Sequence, residues 1–211
     1  EAPTAHWRGT ALGATASMRF EGLTDAEAAP IMAAVEAEVS RLEAIFSLYR
    51  PNSEISRLNR NGTLDAPSPE LLDVLSLSSS LHAATGGAFD PTVQPLWLAL
   101  AQNADEQTVN KAREMVGFSN VRFSARNVQF VRFEPGTDAP ALTLNGIAQG
   151  AITDRIAALL RNHGLTNVLI DMGEIMALGT RLGQSPWQAG IANPAGDILQ
   201  LVTLQDRALA T

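Results

Sequence analysis

The stretch LNGIAQGAITDRIAALLRNHGLTNVLIDMGE, residues 144–174, places one helix and one strand end to end, and what surrounds them decides the fold class. From Ile147 to Asn162 the run is rich in alanine, leucine and isoleucine and free of proline, and it closes on His163-Gly164, a pair suited to a helix end. Val168-Leu169-Ile170 is continuously apolar up to Asp171, as a buried strand is. Further strands are expected near 174–179, 187–192 and 198–204. Strands that follow one another through short turns, interspersed with helices at no regular βαβ spacing, give an α+β fold.

Working back toward the N-terminus, residues 6–20 read as a strand bent at Gly9 and Gly13. Leu23 to Phe46 reads as a long helix. Thr24 and Glu27 fit a capping box, and Ile31, Val35, Val39, Leu42 and Phe46 form its buried stripe. Pro30 falls just past the first turn, where it removes one internal bond. A polar loop is expected from Arg50 to Pro67. Ser68-Pro69 then opens a second helix that ends near Thr85, with Gly86-Gly87 allowing a left-handed exit. The stretch 88–100 reads as irregular and then short-helical. Gln107 to Val116 reads as a small helix stopped by Gly117, with short strands at 120–123, 127–132 and 140–144.

Composition narrows the function. The 211 residues are 45% hydrophobic and 18% charged, as in a folded domain with one sizeable core. A net charge of −7 without a Lys/Arg cluster argues against a nucleic-acid partner. No apolar run approaches the ~18 residues of a membrane span. The absence of cysteine excludes thiolate catalysis and zinc–thiolate sites, and His6, His82 and His163 form no ligand pair. There is no Gly-x-Ser-x-Gly elbow and no Walker A lysine.

Four stretches carry chemistry, each with an ordinary alternative. Gly86-Gly87-Ala88-Phe89-Asp90-Pro91-Thr92-Val93 lets backbone approach a ligand before a rigid Asp-Pro corner, or is a helix cap and turn. Leu144-Asn145-Gly146-Ile147-Ala148-Gln149-Gly150 presents helix amides to an anion, or is a plain strand–turn–helix junction capped by Asn145. Asp171-Met172-Gly173-Glu174 puts an acid at a strand end, facing a crevice or satisfying its own loop. Tyr49, within Ser47 to Asn59, can stack on a planar heterocycle or act as a half-buried anchor.

In this order and spacing, together with Leu12-Gly13-Ala14, Pro186-Trp187, Gly190 to Pro194 and Ala208-Leu209-Ala210-Thr211, these blocks resemble the ApbE family. These are the FAD:protein FMN transferases, including the flavin-transfer homologues of nitrous oxide reductase maturation. The resemblance covers nearly the whole chain. It implies an α+β, T-fold-related structure, a mixed antiparallel sheet packed with helices, in one domain over residues 1–211. It implies FAD as substrate, Mg²⁺ as cofactor, and a partner flavoprotein whose threonine or serine receives FMN as AMP leaves. By position, Leu12, Tyr49, Ala88, Phe89, Asp90, Thr143 and Gln149 would contact FAD. Asp171 would support the flavin side, and the Gly146 carbonyl would ligate the metal. A glycine turn, a helix N-terminus and Mg²⁺ can hold two phosphates without a basic cluster.

The chain departs from the family in three places. Position 143, usually acidic, is Thr143, and position 149, commonly Lys or Glu, is Gln149. The family's Ser-Gly-Asp-Tyr segment, its histidine loop and its Asp…Thr metal pair fall beyond Thr211, so a truncated C-terminus is expected. The catalytic residues stay unassigned. Two other functions remain open: a non-catalytic FAD-binding or flavin-donor protein serving a respiratory assembly such as nitrous oxide reductase, and a structural partner with no flavin site. The non-methionine N-terminus and the resemblance together lead to the expectation of export to the periplasm with removal of a signal, and of a location at or near the membrane.

Overall fold

A computed structural model of the chain describes residues 2–134, 139–182 and 185–210. In chain order its first half holds β1 (Thr4–Ala11), β2 (Ala14–Glu21), α1 (Asp25–Phe46), α2 (Glu54–Asn61), β3 (Thr63–Asp65) and α3 (Pro69–Ala84). A short 3₁₀ turn over Pro91–Val93 leads to α4 (Gln94–Ala101), α5 (Glu106–Glu114), β4 (Val121–Phe123) and β5 (Asn127–Phe130). The remainder holds α6 (Asn145–Asn162), β6 (Val168–Asp171), β7 (Ile175–Leu178), β8 (Trp187–Ala192), β9 (Ile198–Leu204) and β10 (Arg207–Leu209). Helices and antiparallel strands are interspersed, and the fold is α+β as expected. By its contacts the chain forms two compact units: Glu1–Ser40 with Gln149–Thr211, and Arg41–Ala148.

The first unit is built on a sheet in the order β1-β2-β6-β7-β10, with every pairing antiparallel. Period-two alternation turns Ala5, Trp7 and Ala11 of β1, Ala16, Met18 and Phe20 of β2, and Val168 and Ile170 of β6 into the interior. On α6, Ile152, Ile156 and Leu160 repeat every four residues and are all fully buried. Trp7 donates its indole N–H to Glu36 of α1 at 2.9 Å. The capping box forms as read: the Thr24 amide donates to Glu27 at 2.9 Å, and the Glu27 amide donates back to the Thr24 hydroxyl at 3.4 Å. A separate hairpin, β8–β9, buries Trp187, Ala189 and Leu204 against Ala177, and the Trp187 indole donates to the Leu178 carbonyl at 3.1 Å.

The second unit carries α2 to α5 and a three-stranded sheet in the order β3-β5-β4. The Ser68 hydroxyl caps α3 by accepting from the Leu71 amide at 3.2 Å, with Pro69 at the first helical position.

Besides the short β10, which the sequence reading lacks, the elements differ from it in four places. Residues 6–20 are two strands, not one bent strand. Leu12 (φ 50°) and Gly13 (φ 81°) both lie in the left-handed region, as a two-residue hairpin turn of the primed type requires. The supposed loop 50–67 contains α2 and β3: the Ser53 hydroxyl caps α2, Ile55 and Leu58 bury one face, and Gly62 closes it with a left-handed residue. Residues 140–144 form no strand. There the Leu142 amide and carbonyl bond the side-chain amide of Asn59, both at 2.8 Å, and this pair of bonds replaces a ladder. Finally, α6 starts at Asn145, so the residue before it, Leu144, supplies the first carbonyl and Asn145 is not the cap.

Candidate functional site

In the second unit the glycine loop is assembled by the end of α3. The Thr85 hydroxyl donates to the Leu81 carbonyl at 2.8 Å and accepts from the Phe89 amide at 3.0 Å. Gly86 (φ 60°) and Gly87 (φ 86°) take the left-handed conformations that reverse the chain after the helix. Asp90 follows, and its side chain is turned inward, with 8% of it exposed. One carboxylate oxygen accepts from the Thr92 amide at 2.8 Å and from the Thr92 hydroxyl at 2.5 Å. The other accepts from the Phe118 amide at 3.1 Å and lies 3.6 Å from Nδ1 of His82. The Thr92 hydroxyl in turn accepts from the Gly117 amide at 2.7 Å. The Asp-Pro corner therefore aims the Asp90 side chain at its own chain.

Two of the motif blocks meet in this unit. The Thr143 amide donates to the Pro91 carbonyl at 2.8 Å, and the Phe89 ring lies 3.6 Å from where a Cβ on Gly146 would sit. Phe89, Thr143 and Gly146 thus come together at the first turn of α6, a turn with no acidic residue. Its amides leave a field favourable to an anion. Ala88 is exposed on the same loop. Tyr49 stands 75% exposed on a loop held by Ser47, whose hydroxyl accepts from the Tyr49 amide at 3.2 Å. The buried Ser53 hydroxyl donates to the Ser47 carbonyl at 2.7 Å, so the phenol projects from a fixed base.

In the first unit, Asp171 ends β6 and accepts from the Gly173 amide at 3.1 Å. Gly173 has φ 90°, and a Cβ on it would lie 2.5 Å from the side-chain nitrogen of Gln149. Gln149 and the 171–173 turn are therefore packed together. Ser17 pairs with Asp171 across β2 and β6, so the Leu12-Gly13 turn projects from the same end of the sheet as that turn.

The sequence reading missed His82, Thr92 and Phe118, which fix the glycine loop. Their only signals were a histidine seven residues ahead of Phe89 and a threonine two residues past an aspartate. For magnesium, the donor set is poor. Thr143 and the Gly146 carbonyl are neutral, and among the described residues no three His, Cys, Asp or Glu side chains cluster. Magnesium calls for near-octahedral oxygen, usually including a carboxylate. These residues do not fit a complete site for it. Among the described residues no helix is long and apolar enough to cross a membrane.

A model of the ApbE family matches residues 12–211. The chain is 28% identical over 227 aligned residues to an FAD:protein FMN transferase of Vibrio cholerae, covering 98% of this chain and 65% of that relative. It is 26% identical over 200 residues to the protein of the same name from Haemophilus influenzae, covering 88% of this chain and 58% of that one. The chain thus spans less than two thirds of the length of either relative. Among solved structures, the flavin transferase ApbE from Vibrio cholerae superimposes with a TM-score of 0.85 at 23% identity, over 99% of this chain and 71% of that one. At that identity the likeness carries the fold.

Proposed function

Since the chain belongs to the ApbE family, we propose that it binds FAD and transfers FMN from it to a threonine or serine hydroxyl of a partner flavoprotein. In the reaction, the acceptor oxygen attacks the phosphorus on the FMN side of the pyrophosphate. The P–O bond to AMP breaks as the FMN–protein phosphoester forms, AMP leaves with the bridging oxygen, and the hydroxyl proton passes to water. The observation that carries this reading is the meeting of Phe89 with Gly146. It sets an aromatic ring and an open glycine loop beside acid-free helix amides, a surface suited to a flat heterocycle joined to phosphate. Tyr49 would add a second aromatic face. Within the same unit Ala88 and Thr143 add to the proposed flavin contacts and Asp90 holds the loop, and the family resemblance alone adds Leu12, Gln149 and Asp171.

Magnesium enters the proposal through the family resemblance alone. The donors described above do not complete its site. Action in the periplasm belongs to the same proposal and rests on the same resemblance.

A second reading, a flavin-binding or flavin-donor protein without transferase chemistry, is favoured by that same shortage of charged oxygen donors near Gly146. One experiment separates the two. The chain is incubated with FAD and an acceptor polypeptide, with and without MgCl₂, and AMP and flavin-bound polypeptide are measured. Both products together support transfer. FAD binding with neither product supports the second reading. Absence of FAD binding overturns both.

A further inference from the structure

His82 sits on the last turn of α3, and several of its contacts converge on the glycine loop. Its Nδ1 lies 2.9 Å from the Phe89 carbonyl oxygen. A carbonyl only accepts, so Nδ1 carries the hydrogen and donates it. The same nitrogen is 3.6 Å from the Asp90 carboxylate, beyond hydrogen-bond length. One face of the imidazole rests on Phe118, with centroids 5.6 Å apart and planes tilted by 40°. Its Cε1 lies 3.5 Å from where a Cβ on Gly87 would sit. Phe89 is thereby held on both sides: its amide by Thr85, the residue that caps α3, and its carbonyl by His82 on the last turn of that helix.

Fixing both peptide planes of a residue sets the direction of its side chain. Here that side chain is the ring that meets Gly146 at the start of α6. We infer that His82 is a positioning residue of the proposed flavin site. It holds the Phe89 carbonyl, and so keeps the ring over the first turn of α6 while the left-handed Gly86-Gly87 backbone stays open. The inference rests on the flavin reading. The plainer role would be packing alone, the imidazole serving as a flat partner for Phe118.

Two substitutions separate these roles. His82→Phe keeps an aromatic face for Phe118 and removes the donor. His82→Asn removes the ring and keeps a side-chain N–H close to the position of Nδ1. FAD affinity is read by flavin fluorescence titration, and folding by the thermal midpoint of each protein. His82→Phe is expected to weaken FAD binding by about 10-fold, the loss of one hydrogen bond. His82→Asn is expected to stay within about 3-fold of the unsubstituted chain. FAD binding by His82→Phe equal to that of the unsubstituted chain overturns the inference, as does His82→Asn binding as poorly as His82→Phe. Nitrogen NMR of the unsubstituted chain gives a check that depends on no variant folding: the hydrogen is expected on Nδ1, and an imidazole protonated only on Nε2 overturns the inference. If the unsubstituted chain binds FAD and His82→Phe matches it, the positioning role falls and the flavin reading stands. If the unsubstituted chain binds no FAD, both fall.

Discussion

Two turns of this protein pair an aspartate with glycine, Gly87-Ala88-Phe89-Asp90 in one unit and Asp171-Met172-Gly173 in the other. In sequence they look alike, but in structure they do different work. Asp90 has 8% of its side chain exposed and ties the Thr92 amide and hydroxyl to the Phe118 amide. Asp171 is half-buried and accepts from an amide two residues on, within its own turn. A carboxylate has about four lone-pair positions. One oxygen of Asp90 serves Thr92, two residues on, and the other serves Phe118, 28 residues on, whereas an acid satisfied inside its own turn keeps an outward side for a ligand. The difference lies in how distant the partners are, and spacing along the sequence does not contain it.

Asp90→Ala tests this contrast most severely. It leaves the Thr92 and Phe118 amides without an acceptor, while the Gly117 amide keeps its bond to the Thr92 hydroxyl. Unsatisfied polar groups in a closed environment each cost about 1–3 kcal/mol, so a loss of about 3 kcal/mol in unfolding free energy is expected from urea titration. Asp90→Asn, which retains an acceptor oxygen, should lose less. An Asp90→Ala protein as stable as the unsubstituted chain, with only its FAD affinity lowered, would break the contrast and make Asp90 a direct ligand contact.

Regions with local signals were legible in the sequence. The α1 capping box, the Ser68-Pro69 start of α3 and the apolar run of β6 each depend on neighbours within a few residues, and each formed where read. What was not legible depends on distant partners or on unusual backbone. Leu12 holds φ 50°, a conformation that sequence patterns do not assign to leucine, so the β1–β2 turn passed for strand. Residues 140–144 have strand-like composition, but their hydrogen bonds go to Asn59, 83 positions away from Leu142. Buried Ile55 and Leu58, three apart, did mark α2, but the polar residues around them concealed it. In the candidate site the motif blocks themselves could be found. The inward turn of Asp90 could not, because Phe118 lies 28 residues away.

Asp171→Ala is the gentler arm of the comparison. It removes an acceptor from one exposed amide, that of Gly173, which water can replace. The unfolding free energy should fall by less than about 1 kcal/mol. If the outward side of the carboxylate serves the flavin, FAD affinity should fall by more than that, about 1–2 kcal/mol as for one lost hydrogen bond to a ligand. The same two measurements as for Asp90→Ala should give the opposite ranking. Equal rankings for both residues would mean that partner distance does not sort the two acids.

The smallest expected effect concerns a third carboxylate, Glu21 at the end of β2, which shows how an engaged acid responds to pH. Burial pushes its carboxyl up. The Leu182 amide, donating at 2.6 Å, the Arg181 side chain at 3.1 Å and the charge of Arg19 together outweigh that and hold it below its ordinary value. A carboxyl whose pKa is lower folded than unfolded contributes stability above the unfolded pKa, and that contribution is lost as pH falls through the folded one. Glu21→Gln should therefore be less stable than the unsubstituted chain at neutral pH, by about 1 kcal/mol or less, because both arginines reach into solvent. The gap should hold steady down to about pH 4.3, the ordinary glutamate value, and close below it. Paired thermal melts from pH 7 to pH 3 measure it. A gap that closes well above pH 4.3 would show that burial outweighs the partners of Glu21. Close engagement by several chain groups would then not be enough to keep an acid ionised in this fold.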